Sequence, residues 1–377
     1  MKIAIPKESA AGETRVGASP ATVKDYIRIG LEVAVEAGAG GGSLISDEEY
    51  TKAGATIVSD PKMLWSGADI VLKVRAPAVR PDGLDERAAM KSGCVLVCLL
   101  NPSAGGELLQ HLATAGVTAF AMELVPRITR AQSMDALSSM STIAGYKAVL
   151  LAANHLRKMT AMLMTAAGTI QPANCLVIGA GVAGLQAIAT ARRIGARVKA
   201  VDTRPAVGEQ VESLGAKFIP LAVEHASAET SGGYAADLGE AFYKQEQDIL
   251  RPHVKEADIV ITTALIPNRM APKLITADMV ASMPPGAVIV DLAAQAGGNC
   301  TLTKPDELVR HGDVTILGPT NLPAQLPANA TGMYSRNLSA FLGELVKDKQ
   351  VSIDLSNEVI KAMIVTHSGQ VTYAATK

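Results

Sequence analysis

The segment Val177-Ile-Gly179-Ala-Gly181-Val-Ala-Gly184 constrains this chain more than any other. It follows an apolar run with strand character, Cys175–Gly179, and opens a stretch with few helix breakers. In that setting each glycine has its own task. Gly179 makes the tight turn and Gly181 lets backbone approach a pyrophosphate. Gly184 lets helix pack closely on strand, and the helix N-terminus faces the phosphates. The next expected strand, Arg197–Asp202, ends in an acid 18 residues beyond Gly184. A carboxylate there accepts ribose hydroxyls and repels a 2′-phosphate, so the spacing favours NAD over NADP; Arg204 works slightly against that preference. Ala180 and Val182, between the glycines, and Thr203 and Arg204, after the acid, share these turns and join the candidate cofactor-binding residues. A second cluster, Gly38-Ala-Gly40-Gly-Gly-Ser43, has serine at its third glycine position and no acid at the right distance. It reads as a packing turn.

At 377 residues the chain is long enough for roughly two domains of about 150 residues each. Strands are expected first at 2–5, 31–35, 69–74, 94–100 and 117–122, with helices between them. Ser19-Pro20 supplies an N-cap and a proline at the first helical position. Ser46-Asp-Glu-Glu49 fits a capping box. A second series follows, with strands at 175–179, 197–202, 217–219, 258–262, 287–291 and 314–317. Strands alternating with helices mean parallel sheets. The fold expected is therefore α/β, two Rossmann-like domains with parallel sheets joined by long helices. Leu137, Met140, Ala144, Ala148, Leu151 and His155 recur at helical spacing, and Ile143, Tyr146 and Leu150 are also apolar or aromatic. A helix greasy on more than one side is buried, so this one reads as a spine between domains. After Pro323 come another helical segment, through about Leu345, and a short β-like tail with a His367-Ser-Gly369 turn.

Several function classes drop out. Lys plus Arg number 35 against 36 Asp plus Glu, a net charge of −1, which gives no electrostatic reason to bind nucleic acid or an anionic membrane. Aromatics at 3% leave little for base stacking. Cys94, Cys98, Cys175 and Cys300 form no C-x-x-C pair and read as buried thiols in a reducing compartment. The long uncharged stretch 159–191 is broken at Thr169-Ile-Gln-Pro-Ala-Asn174, so no membrane span is expected, and the chain reads as soluble and cytoplasmic. The six histidines are scattered, with no metal-ligand spacing and no nucleophile elbow. No metal is expected. A conventional dehydrogenase also needs an acid–base group beside the nicotinamide, and none declares itself. If hydride moves here, nothing need be protonated.

Several motifs then become familiar along the whole length. They are Met1-Lys-Ile-Ala-Ile-Pro-Lys-Glu8, Glu13-Thr-Arg-Val16, Asp69-Ile-Val-Leu-Lys73, Glu123-Leu-Val-Pro-Arg127-Ile-Thr-Arg-Ala-Gln132-Ser-Met-Asp135-Ala-Leu-Ser138, Ser231-Gly-Gly-Tyr234, Thr262-Thr-Ala-Leu-Ile-Pro267 and the 289–300 segment through Asp291 and Asn299. In these the chain resembles the NAD(H)-binding components of proton-translocating NAD(P) transhydrogenases, and through the first three of them the related alanine dehydrogenases. The resemblance implies a discontinuous first domain (1–128 plus about 325–377) and a second (129–324) comprising the linker helix and the NAD(H)-binding Rossmann domain. It implies a homodimer as the working unit, with NAD(H) on this chain. NADP(H) would sit on a partner component, and a further transmembrane component would couple the reaction to proton movement. The chain would then lie in the cytoplasm, peripheral at the inner face of a bacterial inner membrane. Arg127, Asp135 and Ser138 resemble residues holding ribose, phosphate or carboxamide, and Gln132 the residue reaching towards the partner nucleotide. Arg127, Gln132 and Asp135 are thereby the candidate catalytic residues. Tyr234 resembles a tyrosine that closes over bound nucleotide, and Thr263, Ala264 and Leu265 lie in a matching cofactor-side turn. Taken by themselves, Arg127 and Asp135 could instead form a surface salt bridge, Ser138 a helix cap, and Tyr234 a surface patch.

The competing reading is an alanine dehydrogenase-like enzyme. In that family residues matching Arg15 and Lys73 hold the substrate carboxylate. Its catalytic histidine should follow the 94–100 strand, where this chain reads Leu99-Leu-Asn101-Pro, and Gln295 stands at its catalytic aspartate. Both proton-handling groups are missing, so Arg15 and Lys73 are expected to be structural. A non-enzymatic NAD-sensing module is a third possibility.

Overall fold

The computed structural model describes residues 1–221, 239–266 and 269–374. The chain divides into two compact units, Met1–Met140 with Pro323–Lys377, and Ser141–Leu322. The division falls within the long helix Ala136–His155, so the turn that carries Gln132 packs with the first unit.

The first unit is built on an eight-stranded sheet. Its order across the sheet is Gln370–Val371, Ile364–His367, Thr118–Ala121, Val95–Cys98, Ile70–Leu72, Lys2–Ile5, Glu32–Glu36 and Thr56–Val58. The six strands from the N-terminal part run parallel. The Ile364–His367 strand joins antiparallel to Thr118–Ala121, and its hairpin with Gln370–Val371 turns at Ser368-Gly369, both at positive φ. Two helix starts behave as their sequences require. The Ser19 side chain accepts from the Thr22 N–H ahead of Pro20–Arg28, and Ser46 and Glu49 satisfy each other's amides ahead of Asp47–Lys52.

The second unit has seven strands in the order Lys217–Pro220, Arg197–Asp202, Asn174–Ile178, Ile259–Thr262, Val288–Asp291, Val314–Leu317 and Leu308–His311. All pair in parallel except the last, which closes the edge antiparallel. The chain moves outward from Asn174–Ile178 on one side, then returns and moves outward on the other. The reversal opens a crevice at the carboxyl ends of Asn174–Ile178 and its neighbours, where ligands bind in open α/β sheets. Separate apolar clusters cover the faces: Val177, Ile188, Ile261 and Val290 on one, Ile178, Val260, Leu250 and Ile289 on the other.

Three expectations need correction. The strands Thr56–Val58 and Leu308–His311 are additions to the expected set; the first is only three residues long, and the second alternates half-buried with exposed positions, as an edge strand does. The uncharged 159–191 stretch contains a small exposed hairpin, Leu163–Thr165 with Gly168–Ile170. The long helix is not buried all round. It is long and apolar enough by composition to cross a bilayer, yet 39% of that window is buried, with Ala148, Val149 and Ala152 inside the core of the second unit. Leu137 and Tyr146 are exposed, because the buried stripe runs through Ala136, Met140, Ile143, Ala148, Val149 and Ala152 instead.

Candidate functional site

The turn after Asn174–Ile178 is shaped by its glycines. Gly179 has φ +93°, and a Cβ there would meet Thr263 Oγ1 at 2.5 Å. A Cβ on Gly184 would stand 1.8 Å from the Gly179 carbonyl oxygen, so the helix Val182–Arg193 lies directly on the strand end. Among the described residues, nothing comes within 4 Å of a Cβ built on Gly181, and no side chain caps the helix N-terminus. The first-turn N–H groups of that helix, with the positive end of its dipole, therefore face a volume an anion can enter.

Asp202 closes the next strand and is buried. Its Oδ2 accepts from the Ala180 N–H at 2.7 Å and from Arg204 Nη2 at 3.0 Å, and its Oδ1 accepts from the Arg204 N–H and Nε, both at 2.9 Å. The Ala180 bond ties the acid to the glycine turn. The Thr203 hydroxyl is buried without a partner, a polar atom left for something else to satisfy. Open space at Gly181, an uncapped helix start, a fixed acid and an orphaned hydroxyl together fit a dinucleotide's pyrophosphate and ribose.

The facing strand end holds the other wall. Thr263 Oγ1 donates to the Gly179 carbonyl at 3.1 Å, bridging the two turns. Ala264 is gripped from both sides by Asn299, whose Oδ1 accepts its N–H at 3.0 Å and whose Nδ2 donates to its carbonyl at 2.8 Å. Asn299 is wholly buried and also donates to the Pro272 carbonyl at 2.9 Å. Asp291 secures the same corner, accepting from Thr262, Ala293, Cys300 and Thr303. Leu265 is exposed at the rim.

Two further residues bear on this corner. Gly145 lies in the long helix, and a Cβ on it would stand 2.0 Å from the Ala183 carbonyl oxygen, so only glycine lets that helix press on the first turn of Val182–Arg193. A lone glycine inside a helical pattern was the signal available for it. Glu246 shares the buried stripe Phe242, Glu246, Leu250 and Val254 of the helix Glu240–Glu256. Burial, and then the charge of Asp202, push its carboxyl up to about 7.

In the first unit, Arg127, Gln132, Asp135 and Ser138 share one continuous segment. Arg127 and Gln132 are exposed. Asp135 starts the long helix: its Oδ1 accepts the Ser138 N–H at 2.8 Å and its Oδ2 the Ser138 hydroxyl at 2.5 Å. The helix cap is thus Asp135, with Ser138 as its donor. Tyr234 and Pro267 lie outside the described residues.

Arg15 and Lys73 are deeply buried, each against carboxylates of its own chain. Arg15 takes Glu13 in a two-pronged pair at 2.7 and 2.6 Å, and Arg75 adds a bond at 2.9 Å. Burial raises the Glu13 carboxyl, but the Arg15 hydrogen bonds and charge outweigh it and hold it at about 2. Lys73 Nζ stands 3.1 Å from Glu86 and 3.4 Å from Glu8, over the Trp65 ring. Asn101, at φ +50°, donates its N–H to the Glu123 carboxyl, and Gln295 is exposed in a short 3₁₀ turn. All four cysteines are free and buried, and burial pushes the Cys94 and Cys175 thiols up to about 12.

Two family profiles match the chain: alanine dehydrogenase/PNT, N-terminal domain, over residues 4–144, and alanine dehydrogenase/PNT, C-terminal domain, over residues 148–374. The first part of the NAD(P) transhydrogenase subunit alpha of Rhodospirillum rubrum is 49% identical over 378 residues, covering 100% of this chain and 98% of that protein. The crystal structure of transhydrogenase from Sinorhizobium meliloti superposes with a TM-score of 0.88 at 44% identity, covering 98% of this chain and 100% of that one. An alanine dehydrogenase of Mycobacterium tuberculosis is more distant, 31% identical over 98% of this chain and 94% of its own length.

Proposed function

The chain belongs to the alanine dehydrogenase/PNT family, with transhydrogenase alpha subunits among its close relatives, and from that premise we propose that it is the NAD(H)-binding subunit of a proton-translocating transhydrogenase. Its task is direct hydride exchange with NADP(H) held on a partner polypeptide. A transmembrane component couples that exchange to proton movement, and this chain works in the cytoplasm at the inner face of a bacterial membrane. The observation that carries the reading is the Arg127–Ser138 segment, where a cation, an exposed amide and a carboxylate sit together without a proton-relaying histidine or cysteine.

In this reading Gly179, Gly181 and the start of Val182–Arg193 receive the pyrophosphate, and Asp202, Thr203 and Arg204 the adenosine ribose. Thr263 and the backbone at Ala264 and Leu265 form the opposite wall, and Tyr234 closes over the nucleotide. Arg127, Asp135 and Ser138 recognise NAD, and Gln132 reaches to the second nucleotide. Bound there, the nicotinamide supplies or accepts the hydride. The chain's own contribution is orientation and exclusion of water, since no proton changes hands between substrate and side chain.

A homodimer belongs to the same proposal. Met159, Met162, Leu163, Met164 and Ile170 are exposed on and beside the small hairpin, Met164 by 76%. A lone two-stranded hairpin is marginal in water, and an apolar one gains from packing on a second copy. The alternative, alanine dehydrogenase-like chemistry, is disfavoured because Arg15 and Lys73 already pair with Glu13, Glu8 and Glu86. The deciding experiment measures NADH binding by nucleotide fluorescence, then hydride transfer to an NADP(H) analogue with and without an NADP(H)-binding component. Transfer only with that component supports the proposal. Turnover of pyruvate and ammonia by the chain alone overturns it, and binding without transfer to any acceptor leaves a sensing module.

A further inference from the structure

Gln132 sits on the 3₁₀ segment Thr129–Met134, and so short a segment has weak hydrogen bonds of its own. Its shape is set from outside. Asn337, in the middle of the helix Pro327–Leu345, is 5% exposed, and its Nδ2 donates at 2.8 Å to the carbonyl of Ser133, the residue next to Gln132. On the other side the Arg130 guanidinium reaches Glu344 Oε1 at 3.1 Å, Asn357 Oδ1 at 2.9 Å and Glu358 Oε1 at 3.5 Å. Asn357 in turn donates to Glu344 Oε2 at 2.7 Å, so two of the three acceptors are themselves tied together. Ala131 and Met134 are buried, whereas Gln132 and Ser133 are exposed. The turn is therefore held at positions 130, 131, 133 and 134, and the side chain between them projects.

Asn337 carries a cost that marks its amide as more than filler. Its Oδ1 is buried without a partner, a penalty that leucine, with the same branched shape, would avoid. The amide makes the bond to Ser133, which leucine could not make. Arg130 is half exposed, so its ion pairs add little stability, but three acceptors in one fork fix a direction.

We propose that Asn337 and Arg130 are positioning residues that aim Gln132, setting the rate of hydride transfer without setting NADH affinity. This rests on the role assigned to Gln132 above. Reacting groups lose up to about a hundredfold in rate for a displacement of about 1 Å, so a loosened turn slows chemistry long before it unfolds anything.

The test uses the full chain with its NADP(H)-binding component and three variants, Asn337→Leu, Arg130→Ala and Gln132→Asn. Expected are kcat losses of about tenfold for Asn337→Leu and about threefold for Arg130→Ala, with KM for NADH within about twofold of wild type. Amide hydrogen exchange across 129–134 should speed up in both. If Gln132→Asn slows transfer but the other two run at the wild-type rate, the positioning role is overturned while the role of Gln132 stands. If Gln132→Asn runs at the wild-type rate, the role of Gln132 falls and the rate-setting role of Asn337 and Arg130 falls with it, whatever the exchange of the turn. Should Asn337→Leu fail to fold, Arg130→Ala, at the surface, carries the same test.

Discussion

Arg204 closes on Asp202 in a two-pronged ion pair, Nε to Oδ1 at 2.9 Å and Nη2 to Oδ2 at 3.0 Å. The acid at the end of the second Rossmann strand is thereby held in place with a cation already on it. Under the proposed reading, ribose hydroxyls that reached Asp202 would share it with Arg204 or displace it, and a 2′-phosphate would meet both charges.

Asp202→Asn separates these roles. Removing the carboxylate's charge weakens its hydrogen bonds from ribose hydroxyls, by about 1.5–3 kcal/mol for a bond to a charged group. NADH affinity is expected to fall by about tenfold or more, and NADPH affinity by less. Equal losses, read by nucleotide fluorescence titration, would mean that the acid only braces the Ala180 turn.

Gln132→Asn shortens an exposed side chain outside the glycine turn. NADH binding should change by less than about twofold while transfer to the partner nucleotide drops about tenfold or more. Parallel losses in both would remove Gln132 from the transfer step.

Gly145→Ala adds a methyl that would stand 2.0 Å from the Ala183 carbonyl oxygen. Neither helix can yield without moving the start of Val182–Arg193, so stability should drop by about 1–3 kcal/mol and NADH affinity with it. Gly343→Ala is the control: in the helix Pro327–Leu345 an added Cβ meets nothing, and alanine should stabilise by about 0.5–1 kcal/mol. Thermal melts of the two variants, with and without NADH, check both halves.

Glu246 predicts a pH dependence of stability. Its carboxyl is raised from 4.5 to about 7 in the folded chain, first by burial and then by Asp202. A raised value means that the folded state holds the proton more tightly than the unfolded one. The contribution is complete below about 4.5 and is lost as pH rises through 7, a total of the order of 3 kcal/mol. Glu246→Gln should flatten that part of the profile and leave the variant more stable than wild type at pH 8. Denaturant unfolding at pH 5, 6, 7 and 8 measures it, and parallel profiles would show that the carboxyl reaches water.

Much of this is legible in the chain because it depends on near neighbours. Gly179 takes up a positive φ, Gly184 leaves no room for a Cβ against the Gly179 carbonyl, and Ser19 and Ser46 cap helices through residues three positions on; such constraints are written locally. The strand at Arg197–Asp202 and the acid at its end follow from a run of β-formers and a fixed crossover length. What could not be read depends on pairs far apart. Asn299 serves Ala264 across 35 positions and Asn337 serves Ser133 across 204, and nothing in the residues around an asparagine says which carbonyl it will meet. Periodicity misplaces the buried stripe of Ala136–His155 for the same reason: when most positions are apolar it names no face, and packing partners choose one. The sequence alone determined the α/β class, the glycine turn with its acid and the family. Tertiary structure decided how that turn is braced, which charges Arg15 and Lys73 answer, and what holds Gln132 outward, because each depends on side chains brought together only when distant strands and helices pack.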